Sequence, residues 1–367
     1  MPYSKYTLPE YPLESDMWDE LKRESRPIVV YGMGNGADKL IKRFDFFGIE
    51  IADFFASDGF VRGHSFHGKR VKSFSEIKEI YEDFVIVLSF ASNREEVLEM
   101  LINIDKSYDL YIPDMPIAST EYFDKDFYNS HYDAICKAYE TLSDALSKEL
   151  FCSLVHYKLS GRLKYLKEAN SDISDIYSFF KESEYCVDAG AYNGDTCRIM
   201  LKEFFDLKKI YAFEPDVRNY RKLKKYSEEN GLDNVITTYF AALWSECKLG
   251  EFIGSANRNS SVNSTASHQS RDENIHLLSL DSLELPAVDF IKYDVEGAEQ
   301  EALFGSNETI KRHRPMLLVS AYHKSRDIFS LMHYLAYNYP FYDFYLRRTF
   351  CVPAWEIALI AIPRSEK

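Results

Sequence analysis

The sequence predicts an α/β protein built as two Rossmann-like α/β domains joined by a helical connector, the C-terminal domain having seven strands. Three observations carry this. Short apolar runs alternate with amphipathic segments over residues 28–112 and again from 185 onward, the pattern of parallel βαβ units. Each series opens with a strand that runs into a glycine turn, Gly32-Met-Gly-Asn-Gly36 in the first and Gly190-Ala-Tyr-Asn-Gly194 in the second. Between the two series the apolar residues recur at three- and four-residue steps instead. At 367 residues the chain exceeds what one hydrophobic core usually serves. The expected divisions are a tail at 1–25, a first domain at 26–120, a connector at 121–183 and a second domain at 184–367.

The elements follow in order. After a tail broken by Pro2, Pro9 and Pro12 comes a strand at 28–31, its glycine turn, and a helix over 37–47. Strands at 49–55, 84–88 and 108–112 then alternate with helices at 74–81 and 94–104. In the connector, Ile135, Tyr139, Leu142, Leu146 and Leu150 form one helical stripe, broken further on at Gly161 and Asn170-Ser-Asp172. Such a stripe is read as packing between domains. The second domain supplies strands at 185–189, 210–213, 237–240, 290–294, 316–321, 341–347 and 357–362. Residues 248–276, rich in Ser and Asn, are too polar and too long for an ordinary connection, and are expected to be disordered or a lid over the site.

Composition removes several classes of function. The formal charge is −14 and no block of Lys and Arg interrupts it, which disfavours nucleic acid as a partner. The six cysteines, Cys136, Cys152, Cys186, Cys197, Cys247 and Cys351, form no C-x-x-C and no zinc-ligand spacing with histidine. They read as reduced packing residues, and no metal is expected. Apolar runs such as 84–88 are far too short to span a bilayer, and residues 1–20 lack an apolar leader-like core. The expectation is a soluble protein of a reducing cytoplasm; a homo-oligomer is left open.

The candidate site lies in the second domain. In an open α/β sheet a ligand sits beyond the carboxyl ends of the strands, where strand order reverses. The strand 185–189 leads through Asp188 into a turn containing Gly190, Asn193, Gly194 and Asp195. Glycine at 190 and 194 would let the backbone approach a bulky ligand, and Asp188 would meet the amino acid portion of a nucleoside cofactor. The same turn also occurs in folds that bind nothing there. Glu214 ends the next strand, with Pro215 behind it, where an acid can accept both ribose hydroxyls or merely face solvent. Ala242, in Ala241-Ala-Leu-Trp244, is placed to line an adenine edge, although such a run is mostly core.

Asp294 and Glu296 follow the strand 290–294 at the switch point, facing both cofactor and acceptor. Glu296 alternatively supports the helix over 298–303 through its dipole. His323 emerges past the strand 316–321 on the same edge, and an ordinary histidine pKa suits it to taking a hydroxyl proton. Asp294 and His323 are therefore the catalytic candidates. Asn259, Ser260, Ser261 and Glu296 are the candidate acceptor contacts. Three strand-end carboxylates in one α/β unit indicate S-adenosyl-L-methionine chemistry.

Taken in order, Val-Asp-Ala-Gly-Ala-Tyr-Asn-Gly-Asp, Ala-Phe-Glu-Pro-Asp, Asn-Arg-Asn-Ser-Ser, Ile-Lys-Tyr-Asp-Val-Glu-Gly-Ala-Glu and Val-Ser-Ala-Tyr-His resemble the FkbM family of S-adenosylmethionine-dependent methyltransferases. The resemblance covers roughly 184–362. It implies a seven-stranded class I methyltransferase fold and O-methylation, commonly of sugar or polyketide hydroxyls, with a small-molecule or glycan acceptor. Many relatives carry an acid before the His-bearing turn where this chain has Ser320, so no role for that acid transfers.

In the first domain Gly32-x-Gly34-x-Gly36-Ala37 follows a strand and opens a helix, formally a dinucleotide fingerprint. Rossmann-like modules ahead of FkbM-like domains have no settled ligand. Two other readings therefore stay open: an enzyme acting on NAD or a nucleotide-sugar through the first domain, and a non-catalytic binding protein. No Tyr-x-x-x-Lys pair near Gly32 supports hydride transfer.

Overall fold

The structure, a computed structural model, describes residues 7–61, 63, 65–253, 261–263 and 273–364. The first domain is a parallel sheet of five strands, β1 (Ile28–Tyr31), β2 (Asp53–Ala56), β3 (Lys72–Ser73), β4 (Val85–Leu88) and β5 (Asp109–Tyr111), in the order β3-β2-β1-β4-β5. Every residue of β1, β2 and β4 is buried, which is why these strands read as apolar runs, interrupted only by Asp53 at the start of β2. Strand β2 starts four residues later than the sequence suggests. Gly48, at φ 67°, closes the helix Asn35–Phe47, and the Ile49 N–H bonds back to Phe44 O. The next residues are spent leaving the helix.

The second domain holds seven strands: β6 (Tyr185–Ala189), β7 (Lys209–Phe213), β8 (Ile236–Tyr239), β9 (Phe290–Tyr293), β10 (Met316–Ser320), β11 (Tyr342–Arg348) and β12 (Ile357–Pro363). Their order is β8-β7-β6-β9-β10-β12-β11, with β12 antiparallel to both neighbours. Strand order reverses between β1 and β4 in one domain and between β6 and β9 in the other. Two switch points result.

Residues 248–276 depart from the expected irregular loop. Strands Lys248–Ile253 and Glu273–Leu278 pair antiparallel, Ala241–Leu243 joins in parallel, and Ser261–Asn263 adds a fourth strand. Ile275 and Leu277 alternate with polar neighbours and bury against Ala242. That period-two pattern is the strand signal that the polar composition masked.

The connector is a set of short helices, the longest being Ala145–Ser160, which packs against β11. The predicted stripe is interrupted: Leu146 is exposed, whereas Ile135, Leu142 and Leu150 are buried. Asp144 caps a new helix here, accepting from Ser147 N at 2.7 Å, so the helical phase restarts. Gly161 ends that helix at φ 63°, as expected. One apolar core runs from β1 and β4 through Tyr128, Leu150 and Leu154 to Ile291, Leu317 and Tyr342 of the second sheet.

Backbone hydrogen bonds fasten the domains directly. The His323 carbonyl accepts from Ile117 N at 3.2 Å and Ala118 N at 3.0 Å, and Ser92 pairs with Val352 in an antiparallel bridge. Arg326 also forms a bidentate pair with Glu121, at 3.0 and 2.7 Å. Among the described residues no helix is long and apolar enough to cross a membrane.

Candidate active site between the two sheets

The carboxyl edges of both sheets open onto one cavity of about 1130 Å³. The turns after β6, β7 and β9 form one side, through Tyr192, Glu214, Asp294 and Glu296. The turns after β1 and β4 form the other, through Met33, Asn35, Gly36 and the run 89–94. Both switch points thus face a shared space.

Glu214 is buried at the end of β7. Its Oε2 accepts from Tyr192 N and its Oε1 from Asp216 N, each at 2.8 Å. Burial pushes the carboxyl up to about 8 against these two N–H donors. Each oxygen keeps a further lone pair. A carboxylate so held at a cavity wall fits a ligand that offers two neighbouring hydroxyls, and Ala242 and Leu243 add an apolar edge beside it.

A second group is built on β9. Lys292 is only 7% exposed, with its Nζ 3.3 Å from Asp294 Oδ2, 3.5 Å from Asp188 Oδ1 and 3.5 Å from Gly190 O. Burial alone would strip its proton, but the carboxylates of Asp294 and Asp188 outweigh it and hold the ammonium well above the ordinary lysine value. Burial likewise pushes Asp294 up, yet Lys292 and His323 together bring it below the usual carboxylate range. The Tyr322 hydroxyl donates to Asp294 Oδ1 at 3.4 Å.

His323 is 1% exposed and ringed by acids. Its Nδ1 lies 2.9 Å from Glu299 Oε1, and its Nε2 lies 3.5 Å from Glu296 Oε2 and 3.8 Å from Asp294 Oδ1. Burial favours the neutral ring, but the surrounding carboxylates, Glu299 foremost, drive the pKa up to about 10. The surroundings thus differ from those of an ordinary histidine and favour the imidazolium.

Glu299, also 1% exposed, accepts from Val295 N at 3.1 Å and Gly297 N at 3.3 Å. It, rather than Glu296, secures the start of the helix Glu299–Phe304. Glu296 sits on a left-handed backbone at φ 52° with its side chain 38% exposed, and burial leads its rise to about 7.

Of the residues singled out in the sequence, Gly190, Asp195, Glu214, Ala242, Asp294, Glu296 and His323 meet on this cavity, and Gly36 lies on its far wall. Asp188 does not. It is fully buried beneath the floor, where it pairs with Lys292 and receives Cys197 Sγ at 3.5 Å, away from the cavity surface where a ligand's amino acid portion was expected to meet it. Asn193 accepts from Arg198 Nη1 at 3.1 Å, and Gly194 packs on Leu223 and Tyr226.

The glycines also have a different reason from the expected one. A Cβ on Gly190 would strike the Asp294 carbonyl oxygen, and one on Gly36 would strike the Ser89 carbonyl oxygen. Gly32 abuts Ser89 and Phe90, whereas Gly34, at φ 110°, has open space around it. These turns are glycine-rich so that adjoining strand ends can close on each other. Asn259 and Ser260 lie outside the described residues, and Ser261 opens the strand Ser261–Asn263.

Lys292 and Glu299 were missed. A lysine inside an apolar strand was the available signal for the first, since a buried ammonium needs paired acids.

Residues 188–341 match the family model of the methyltransferase FkbM domain. Over this stretch the chain is similar to the FkbM methyltransferase family. The crystal structure of methyltransferase FkbM from Methylobacillus flagellatus KT is similar over 97% of this chain and 94% of its own, at TM-score 0.66 and 19% identity. The chain thus shares its fold with that protein through both sheets and the connector. Weaker likenesses are to an rRNA methylase from Streptococcus thermophilus (TM-score 0.34, 11% identity, 52% of this chain and 92% of that one) and a methyltransferase from Geobacter sulfurreducens (TM-score 0.34, 11% identity, 68% and 99%). No curated protein matches the chain.

Proposed function

We propose that this chain is a methyltransferase of the FkbM type, which moves the methyl group of S-adenosylmethionine to a hydroxyl of a sugar or glycan held between the two domains. The observation that carries the reading is Glu214, a buried carboxylate whose backbone donors leave two lone pairs for ribose hydroxyls. Ala242 and Leu243 supply the adenine edge, and Asp294, fixed by Lys292, faces the amino acid and sulfonium end. The cofactor brings an electrophilic methyl on a sulfonium.

The chain's own work is alignment of the acceptor oxygen, exclusion of water and removal of one proton. Alignment contributes up to ~7–11 kcal/mol in ideal cases, and a placed base typically about 10²- to 10⁴-fold. Aromatic faces of Tyr192, Tyr322, Phe90 and Trp355 line the cavity and suit the apolar faces of a sugar ring. The N-terminal wall then serves acceptor recognition, and Gly32 and Gly36 need no nucleotide to explain them.

Calorimetric titration tests this. S-adenosylhomocysteine should bind saturably and Glu214→Ala should abolish the binding, while NAD and a nucleotide-sugar run in parallel. Binding of NAD alone would move the chemistry to the Gly32 turn.

A further inference from the structure

We propose that Glu296 is the group that takes the acceptor's proton and that His323, set between the carboxylates of Glu299 and Glu296, positions it. This rests on the hydroxyl-methylation reading above.

The argument begins with what His323 lacks. Both ring nitrogens face carboxylates, its ring is buried, and its carbonyl is tied to Ile117 N and Ala118 N. A ring in that state has no lone pair to offer an acceptor. Among the nearby acids, Asp188 and Glu299 are shut away from the cavity, the latter holding two backbone N–H groups. Glu214 belongs to the ribose end. Asp294 is bound to Lys292, and a carboxylate held below the usual range is a poor proton acceptor.

Glu296 remains. It lines the cavity, keeps 38% of its side chain exposed, and reaches His323 with one oxygen at 3.5 Å. Its backbone sits at φ 52°, a strained conformation for a non-glycine residue and one that concentrates at working sites. The charged and titratable groups facing it are His323, Asp294, Glu299 and Lys292, with Tyr322 beside them. Burial outweighs the pull of His323 and leaves Glu296 near 7, where a base operates best at neutral pH.

In the transfer, the acceptor oxygen bonds to the methyl carbon as the carbon–sulfur bond breaks with its electron pair going to sulfur. The hydroxyl proton passes to a Glu296 carboxylate oxygen and from there to water at the exposed side.

The test needs no acceptor. Sinefungin carries an ammonium where the cofactor carries its methyl-bearing sulfonium, so a carboxylate at the reacting position is felt by sinefungin and not by S-adenosylhomocysteine. Glu296→Gln should weaken sinefungin about tenfold or more while changing S-adenosylhomocysteine less than about twofold. Equal losses for both ligands, or none for sinefungin, would overturn the assignment. Histidine-selective NMR supplies the second arm. His323 should stay an imidazolium past pH 9 and titrate lower in Glu299→Gln, whereas wild-type titration near 6.5 would return the base role to His323. Failure of the wild type to bind S-adenosylhomocysteine would instead remove the cofactor reading on which both rest.

Discussion

Glu214 illustrates how a single carboxyl can carry a testable pH dependence. Its folded pKa is raised from 4.5 to about 8, so at neutrality it largely holds a proton. Two ribose hydroxyls donate best to the ionised form. S-adenosylhomocysteine affinity should therefore climb with pH between about 6 and 8, by at most about tenfold per unit for one linked proton, and level off above. Titrations at stepped pH should show this slope in the wild type and lose it in Glu214→Gln. The position of Glu214 was legible in the sequence because an acid closing an apolar strand ahead of proline has few other places to go. Lys292 was not, since only the register of β9 beside β6, with Lys292 opposite Asp188, reveals its partner. His323 was placed on the right edge, but three acids from separate positions set its charge, and no spacing announces that.

Among the elements, the parallel strands were readable because burial on both faces leaves long apolar runs, and the glycine turns marked their ends. The small sheet around Glu273–Leu278 escaped notice because only Ile275 and Leu277 of its strand are aliphatic residues facing inward, set among Ser- and Asn-rich sequence. Glycine at the two switch points is a matter of strand closure, and this too can be checked. Gly190→Ala and Gly36→Ala should each lower the melting temperature by several degrees, because backbone carbonyl oxygens occupy the space of the added carbon. Gly59→Ala, with open space around it and no left-handed backbone, should change little. Calorimetric scans of the three variants decide; equal behaviour would remove the closure argument.

Over the whole molecule, the sequence suggested two domains with a connector packed between them, and one apolar core passes through the connector into both sheets. Heating should accordingly give a single calorimetric transition, with fluorescence and circular dichroism melting together. Two resolved transitions would show that the halves unfold independently. The Ser92–Val352 bridge and the His323 carbonyl grip the cavity from two sides. A gap framed in this way behaves as a vise set to one width. On the hydroxyl-methylation reading proposed above, it would sort acceptors by thickness before any catalytic group acts, and a substrate too thin to touch both jaws would leave with its hydroxyl unaligned, however reactive that hydroxyl is.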